Sequence, residues 1–150
     1  MLLQTDRLLL IPCTSESIAL AQDQSYEIGP HTQAYVEELK EDSSLLGWGV
    51  WFVIHKDSNT IVGDIGFKGK ADKEQSVEVG YGIMPTAQNQ GYATEAVNEL
   101  LKWAFTWEQV KKVVAECLVD NGPSIKVLEK LNMSRVKTVD NMIKWELNKN

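Results

Sequence analysis

One stretch combines residue types and spacing suited to holding an anion. QNQGYATEA (Gln88–Ala96) follows the strand-like VEVGYGIMP and opens a helix-forming run. The first amides of a helix lack intrahelical acceptors and lie at the positive end of its dipole, so both effects favour a phosphate there. Gly91 lets the backbone approach a ligand closely. Gln88, Asn89 and Gln90 add polar side chains without a negative charge to repel phosphate. Pro85 ends strand pairing, which is expected to free the backbone groups of Ile83 and Met84 for a guest. A plain connecting loop is the alternative. Two carboxylates are also oddly placed. Glu116 lies inside the apolar KVVAECLV (Lys112–Val119), and Glu78 inside SVEVGYGIM (Ser76–Met84). A charge in such a strand is costly unless it faces a cleft, a partner or solvent.

Competing chemistries are missing. No GxxxxGK[ST] or GxGxxG occurs, and Gly63, Gly66 and Gly69 fall in one strand and its turn, where they serve packing and geometry. No HExxH or Cys/His cluster is present, so no metal is expected. His31 and His55 are isolated. Cys13 and Cys117 are far apart and form no CxxC, which excludes a disulfide framework and fits a reducing cytoplasm. No histidine neighbours Cys117 in sequence, so it reads as a buried structural thiol. The net charge of −6 carries no excess to neutralise phosphates, which speaks against a nucleic-acid partner and is compatible with an amine. No apolar run reaches the roughly 18 residues of a membrane span. MLLQTDRLLLIP reads as a strand, not a signal peptide.

The elements that must position these residues follow from periodicity. A strand covers Asp6–Thr14, ended by Pro12, and Thr14 or Ser15 caps a helix to about Gln22. Thr32 caps a second helix to Asp42. Trp48–Lys56, Ile61–Gly69 and Ser76–Met84 form an antiparallel meander. Ala93, Ala96, Val97, Leu100, Leu101 and Ala104 lie on one face of a helix running to about Trp107. The strand Lys112–Val119, a helix begun at Pro123 and a hairpin turning at Asp140–Asn141 complete the chain. Trp103 and Trp107 share a helix face and are assigned to core packing. The strand–helix–strand unit requires a right-handed parallel crossover. The fold class is α+β, a mixed and mostly antiparallel sheet with helices on both faces, as one domain over residues 1–150.

The segment VEVGYGIMPTAQNQGYATEA resembles the cofactor segment of the GNAT acyltransferases, whose pattern Gln/Arg-x-x-Gly-x-Gly/Ala falls on Gln88, Gly91 and Ala93. AECLVDNGPSIKVLEKLNM resembles that family's later strand, its asparagine (Asn121) and the next helix. TDRLLL resembles the opening of the branch that contains the ribosomal-protein N-terminal acetyltransferases. Asn89 and Asn132 depart from the pattern where glycine is frequent, but asparagine tolerates left-handed backbone. The resemblance implies acetyl-CoA as co-substrate and an amine acceptor, either a peptide N-terminus or a small molecule. It implies pyrophosphate contacts at Gln90, Gly91, Tyr92, Ala93 and Thr94, and a thioester oxygen near Ile83 and Met84. Glu116, then Glu78, are the candidate bases, and Ser124 is the candidate acid or a residue serving the helix start. Asn121 binds cofactor or orients the strand end. A homodimer is left open, and a non-catalytic acyl-CoA sensor is the alternative function.

Overall fold

The computed structural model describes residues 1–150. In chain order the elements are β1 (Leu3–Gln4), β2 (Leu8–Pro12), α1 (Ile18–Asp23), α2 (Pro30–Glu41), β3 (Val50–His55), β4 (Thr60–Phe67), β5 (Ser76–Ile83), α3 (Tyr92–Phe105), β6 (Lys112–Leu118), α4 (Gly122–Lys130), β7 (Ser134–Val139) and β8 (Met142–Asn148). The strands form one eight-stranded sheet in the order β1-β2-β3-β4-β5-β6-β8-β7. All pairings are antiparallel except β5 with β6, which run parallel and are joined by the crossover helix α3. The mixed sheet with helices on both faces matches the expectation.

Side-chain alternation divides the sheet into two faces. On β3, Trp51 and Val53 join the core beneath α3 and α4, whereas Val50, Phe52 and Ile54 join the core beneath α1 and α2. Ala96, Val97, Leu100, Leu101 and Ala104 of α3 are all buried, as their spacing requires. Trp103 lies 4.7 Å from Trp48 and 5.4 Å from Trp51, ring centre to ring centre. Trp103 therefore packs against the core, whereas α3 ends at Phe105 and Trp107, beyond it, is 40% exposed at the edge of this cluster and is not a core residue.

Element ends differ from expectation for local reasons. β1 adds a short edge ahead of β2, because Leu3 and Gln4 find register with Leu10 and Leu9. Thr32 does not cap α2. Pro30 starts that helix after an extended Gly29, and Thr32 is buried within it. α1 begins only at Ile18, because Thr14 and Ser17 first exchange side-chain and backbone hydrogen bonds of 2.8 and 3.0 Å. Gln24 then ties this end of α1 to β4. Its amide accepts from the Ile61 N–H at 2.8 Å and donates to the Asn59 carbonyl at 2.8 Å. α4 ends in a left-handed Asn132 (φ 65°), with the N–H groups of Asn132 and Met133 returned to the carbonyls of Glu129 and Leu128.

Two irregularities shape the middle of the sheet. β4 carries one extra residue, Val62, between the pairs Val53–Gly63 and Ile54–Ile61. β5 and β6 pair only over Ser76–Glu78 and Lys112–Val114. Beyond that point β5 stays with β4 to Ile83, while β6 stays with β8 to Leu118. The two parallel strands therefore part, and a wedge opens between their C-terminal ends.

Candidate active site

A cleft of about 640 Å³ fills this wedge. β5 contributes Tyr81, Gly82 and Ile83, the following loop Ala87, Gln88, Asn89 and Gly91, and α3 contributes Tyr92, Ala93 and Thr94. The opposite wall is α4 with its cap, through Asn121, Pro123, Ser124, Lys126, Val127 and Lys130. The loop is bent by two left-handed residues, Asn89 (φ 65°) and Gly91 (φ 80°). Only Arg7 Nη2 would lie near an added Cβ at Gly91, at 3.4 Å, so the positive φ and not lack of room calls for glycine. No side chain caps α3 at Gly91. The first helical bond runs from the Glu95 N–H to the Gly91 carbonyl at 3.0 Å. The amides of Tyr92, Ala93 and Thr94 are therefore left as free donors at the cleft.

The strand end needs a correction. Pro85 does not free both Ile83 and Met84. The Met84 N–H donates to the Val62 carbonyl at 2.8 Å, and the Ile83 carbonyl accepts from Gln88 Nε2 at 3.0 Å. Consecutive residues of an antiparallel strand direct their backbone groups to opposite sides. Met84 faces β4, so the Ile83 N–H faces the wedge where β6 has parted. That one donor remains for a guest. Met84 and Gln90 are not part of the cleft wall, and Gln90 instead accepts the Tyr92 hydroxyl at 3.1 Å.

On the α4 wall, Asn121 caps the helix through Oδ1, which accepts the Ser124 N–H at 3.2 Å. The Ser124 carbonyl accepts the Tyr81 hydroxyl at 3.4 Å. Burial raises the Tyr81 phenol above its ordinary value. Lys126 and Lys130 stand one turn apart on the cleft side of α4. No aspartate or glutamate lines the cleft. In a chain of net charge −6, a pocket with two ammonium groups, free helix-start amides and no carboxylate is selective for an anion.

The two candidate carboxylates lie elsewhere. Val113, Ala115 and Cys117 of β6 point into the core under α3 and α4, so Glu116 points to the other face, and Glu78, paired with Val114, shares it. The Glu116 carboxylate is ion-paired with Lys144, its cross-strand partner on β8. The Lys144 hydrogen bond holds the Glu116 carboxyl below the usual range. Glu78 accepts Lys68 Nζ at 2.9 Å. The structure thus brings Ser124 and Asn121 to the cleft with the loop, but not Glu116 or Glu78.

Four contributors had weaker sequence signals. Lys126 and Lys130 show i,i+4 spacing, which reads equally as a solvated helix face. Tyr81 sits in a strand pattern. Arg7 reaches the α3 start from the far end of the chain, with its guanidinium 4.6 Å from the Tyr92 ring centre and Nε 2.8 Å from Glu95 Oε1. Glu95 also accepts the Arg7 N–H and the Thr5 hydroxyl. This acidic residue of the first helical turn is thereby turned away from the cleft.

Comparison with known proteins agrees with this geometry. Residues 7–134 match the family described as Acetyltransferase (GNAT) domain. The uncharacterized N-acetyltransferase YjdG of Bacillus subtilis is 36% identical over 95 residues, which are 63% of this chain and 56% of that protein. YnaD of the same organism, also an uncharacterized N-acetyltransferase, is 35% identical over 83 residues, 55% and 48% of the two chains. The chain spans about half the length of the curated relatives it matches. Among solved structures, a GNAT-family acetyltransferase from Bacillus anthracis superposes with a TM-score of 0.74 at 22% identity, over 99% of this chain and 98% of that one. RimL, a ribosomal L7/L12 alpha-N-protein acetyltransferase in complex with coenzyme A, gives 0.76 at 14% identity, over 99% and 98%. At such identities the likeness is one of fold. The domain match spans most of the sequence, and the parted strands and glycine-opened helix stand within it: the chain belongs to the GNAT acetyltransferase family.

Proposed function

We propose that this chain is an acetyl-CoA-dependent N-acetyltransferase that passes the acetyl group to a primary amine by direct attack in a ternary complex. The observation that carries the reading is the carboxylate-free cleft, with its unfilled amides at Tyr92–Thr94 and its lysines on α4. These groups suit a pyrophosphate and a further phosphate. When bound there, acetyl-CoA supplies an activated acyl carbon and a thiolate leaving group. The Ile83 N–H is the donor available to a carbonyl oxygen at the wedge. An alkylamine with a pKa near 10.4 is only about one part in a few thousand neutral at pH 7, so a proton acceptor is useful. Glu78 is better placed for that role than Glu116. It is the last β5 residue paired with β6 before the strands part, although Lys68 holds it as Lys144 holds Glu116. Ser124, whose hydroxyl makes no hydrogen bond within the protein, is the donor for the departing sulfur, with Tyr81 as its neighbour. The buried free thiols of Cys13 and Cys117 fit a reducing, cytoplasmic setting.

Isothermal titration with acetyl-CoA and desulfo-CoA tests the proposal. Binding in the micromolar range is expected, and no binding at high micromolar concentration sinks it. A second reading, an acyl-CoA-binding domain without turnover, draws on one observation: both candidate bases are held in ion pairs outside the cleft. Thiol release in the presence of a primary amine separates the two.

A further inference from the structure

The sheet face beneath α1 and α2 carries a second feature. Ile65 and Phe67 of β4 point into the core under α3, so Asp64, the residue before Ile65, points to the opposite face. There its Oδ2 accepts the Tyr26 hydroxyl at 2.7 Å. Tyr26 is itself fixed by an edge-on contact with Phe52, 6.0 Å between ring centres, and by its N–H on the Ala21 carbonyl at 2.8 Å. The other carboxylates on this face of the central and C-terminal strands are each paired with a lysine: Glu78 with Lys68, Glu116 with Lys144 and Glu146 with Lys112. Asp64 has no cationic partner, and no other protein group donates to it. It is half-buried, so its charge is partly withdrawn from water.

Its position gives that charge a use. Asp64 is registered opposite Gly82, one residue from Ile83, whose N–H enters the wedge. One strand residue is about 3.3 Å, so Asp64 borders the place where the acyl carbon would be presented. Gly82 and Gly80 beside it have only open space where a side chain would stand. The floor next to Asp64 is therefore an uncovered trough on the face opposite α3 and α4.

We propose that Asp64, oriented by Tyr26, anchors the amino group of the acceptor by accepting one of its N–H groups, and that it selects amines lacking an adjacent carboxylate. This rests on the acetyl-transfer reading above. Oδ1 is left for the amine while Tyr26 holds Oδ2. A free amino acid would bring its own carboxylate against Asp64, whereas a peptide N-terminus or an amide-capped amine would not.

Thiol-release kinetics with L-alaninamide and L-alanine, together with titration of acetyl-CoA, test this. The wild type is expected to use alaninamide at least about tenfold better than alanine, from the cost of opposing two carboxylates. Asp64→Asn keeps the Tyr26 hydrogen bond but loses the charge. Its KM for alaninamide should rise on the order of tenfold to a hundredfold, with kcat changed far less and acetyl-CoA affinity intact. Asp64→Glu should restore part of the loss, and Tyr26→Phe should show a smaller KM rise of the same kind. Equal use of both amines, use of neither, or an unchanged KM in Asp64→Asn overturns the inference. If Asp64→Asn fails to fold, Tyr26→Phe decides alone, and an unchanged KM there also overturns it. Failure of the wild type to bind acetyl-CoA instead overturns the reading on which it rests.

Discussion

The two faces of the sheet around the parted strands are built by different means. On the α3 and α4 side, the cleft is made mostly of backbone: a left-handed glycine, uncapped helix amides and one strand N–H. On the α1 and α2 side, the groups that matter are side chains held by other side chains, as Asp64 is by Tyr26 and Glu78 by Lys68. A backbone site recognises what is constant, such as a phosphate or a carbonyl. A side-chain site can change one residue at a time without disturbing the fold. The division suits a protein that would use one donor and need a particular acceptor.

Substitutions on each face test this division of labour. The largest effect is expected from Glu78→Gln on the side-chain face. Turnover should fall about 100-fold or more if Glu78 accepts the proton, while acetyl-CoA affinity by titration stays unchanged. Glu116→Gln should cost distinctly less. The reverse ranking would return the role to Glu116. On the backbone face, Gly91→Val forces a β-branched residue to φ 80°, a cost of about 1–3 kcal/mol. Acetyl-CoA affinity should drop roughly tenfold to a hundredfold. Retained affinity would mean that the loop does not need its observed conformation for binding. Replacing both Lys126 and Lys130 with alanine should weaken binding several-fold at low salt and progressively less as salt is added, since such exposed pairings contribute about 1 kcal/mol or less each. A salt-independent loss would point to a structural role.

The smallest expected effect concerns the support behind the loop. Burial alone would raise the Glu95 carboxyl, but the Thr5 and Arg7 hydrogen bonds outweigh it and hold the group below its ordinary 4.5. A carboxyl depressed in the folded state adds stability above its unfolded value, and that stability is lost as pH falls through the folded value. Glu95→Gln should therefore lower stability near pH 7 by about 1–2 kcal/mol, from the lost charge-assisted hydrogen bonds. It should also flatten the decline below about pH 4.5 in denaturant titrations. An unchanged acid limb would show that Glu95 is not the group responsible.

These contrasts also govern what could be read from the sequence. The loop, Gly91 and the α3 stripe are contiguous, so local backbone rules reach them. Asn89 and Asn132 take the left-handed conformation that the resemblance required of them. The α1 and α2 side escapes such reading because its contacts join distant residues. Tyr26 and Asp64 lie 38 positions apart, and Arg7 and Glu95 lie 88 apart. Neither Tyr26 nor Asp64 is unusual in its own neighbourhood. The oddity of Glu116 was legible as a charge in an apolar strand, but its resolution was not. Lys144 pairs with it only because β8 enters between β6 and β7. Met84 departs from expectation for a related reason: the extra residue Val62 on β4 supplies the acceptor that its N–H uses.

The short pairing of β5 with β6 has a mechanical consequence. Over the wedge, the sheet is two smaller sheets, β1–β5 and β6–β8–β7, stitched by the pairs Ser76–Lys112, Val77–Val113 and Glu78–Val114. A ligand that brings amide groups into the gap would act as a missing strand and fasten the halves together. Its binding energy would then add to the stability of the seam by mass action. In hydrogen exchange, acetyl-CoA should slow the amides along that seam more than those in the β2–β3–β4 meander, so that the cofactor serves as part of the architecture.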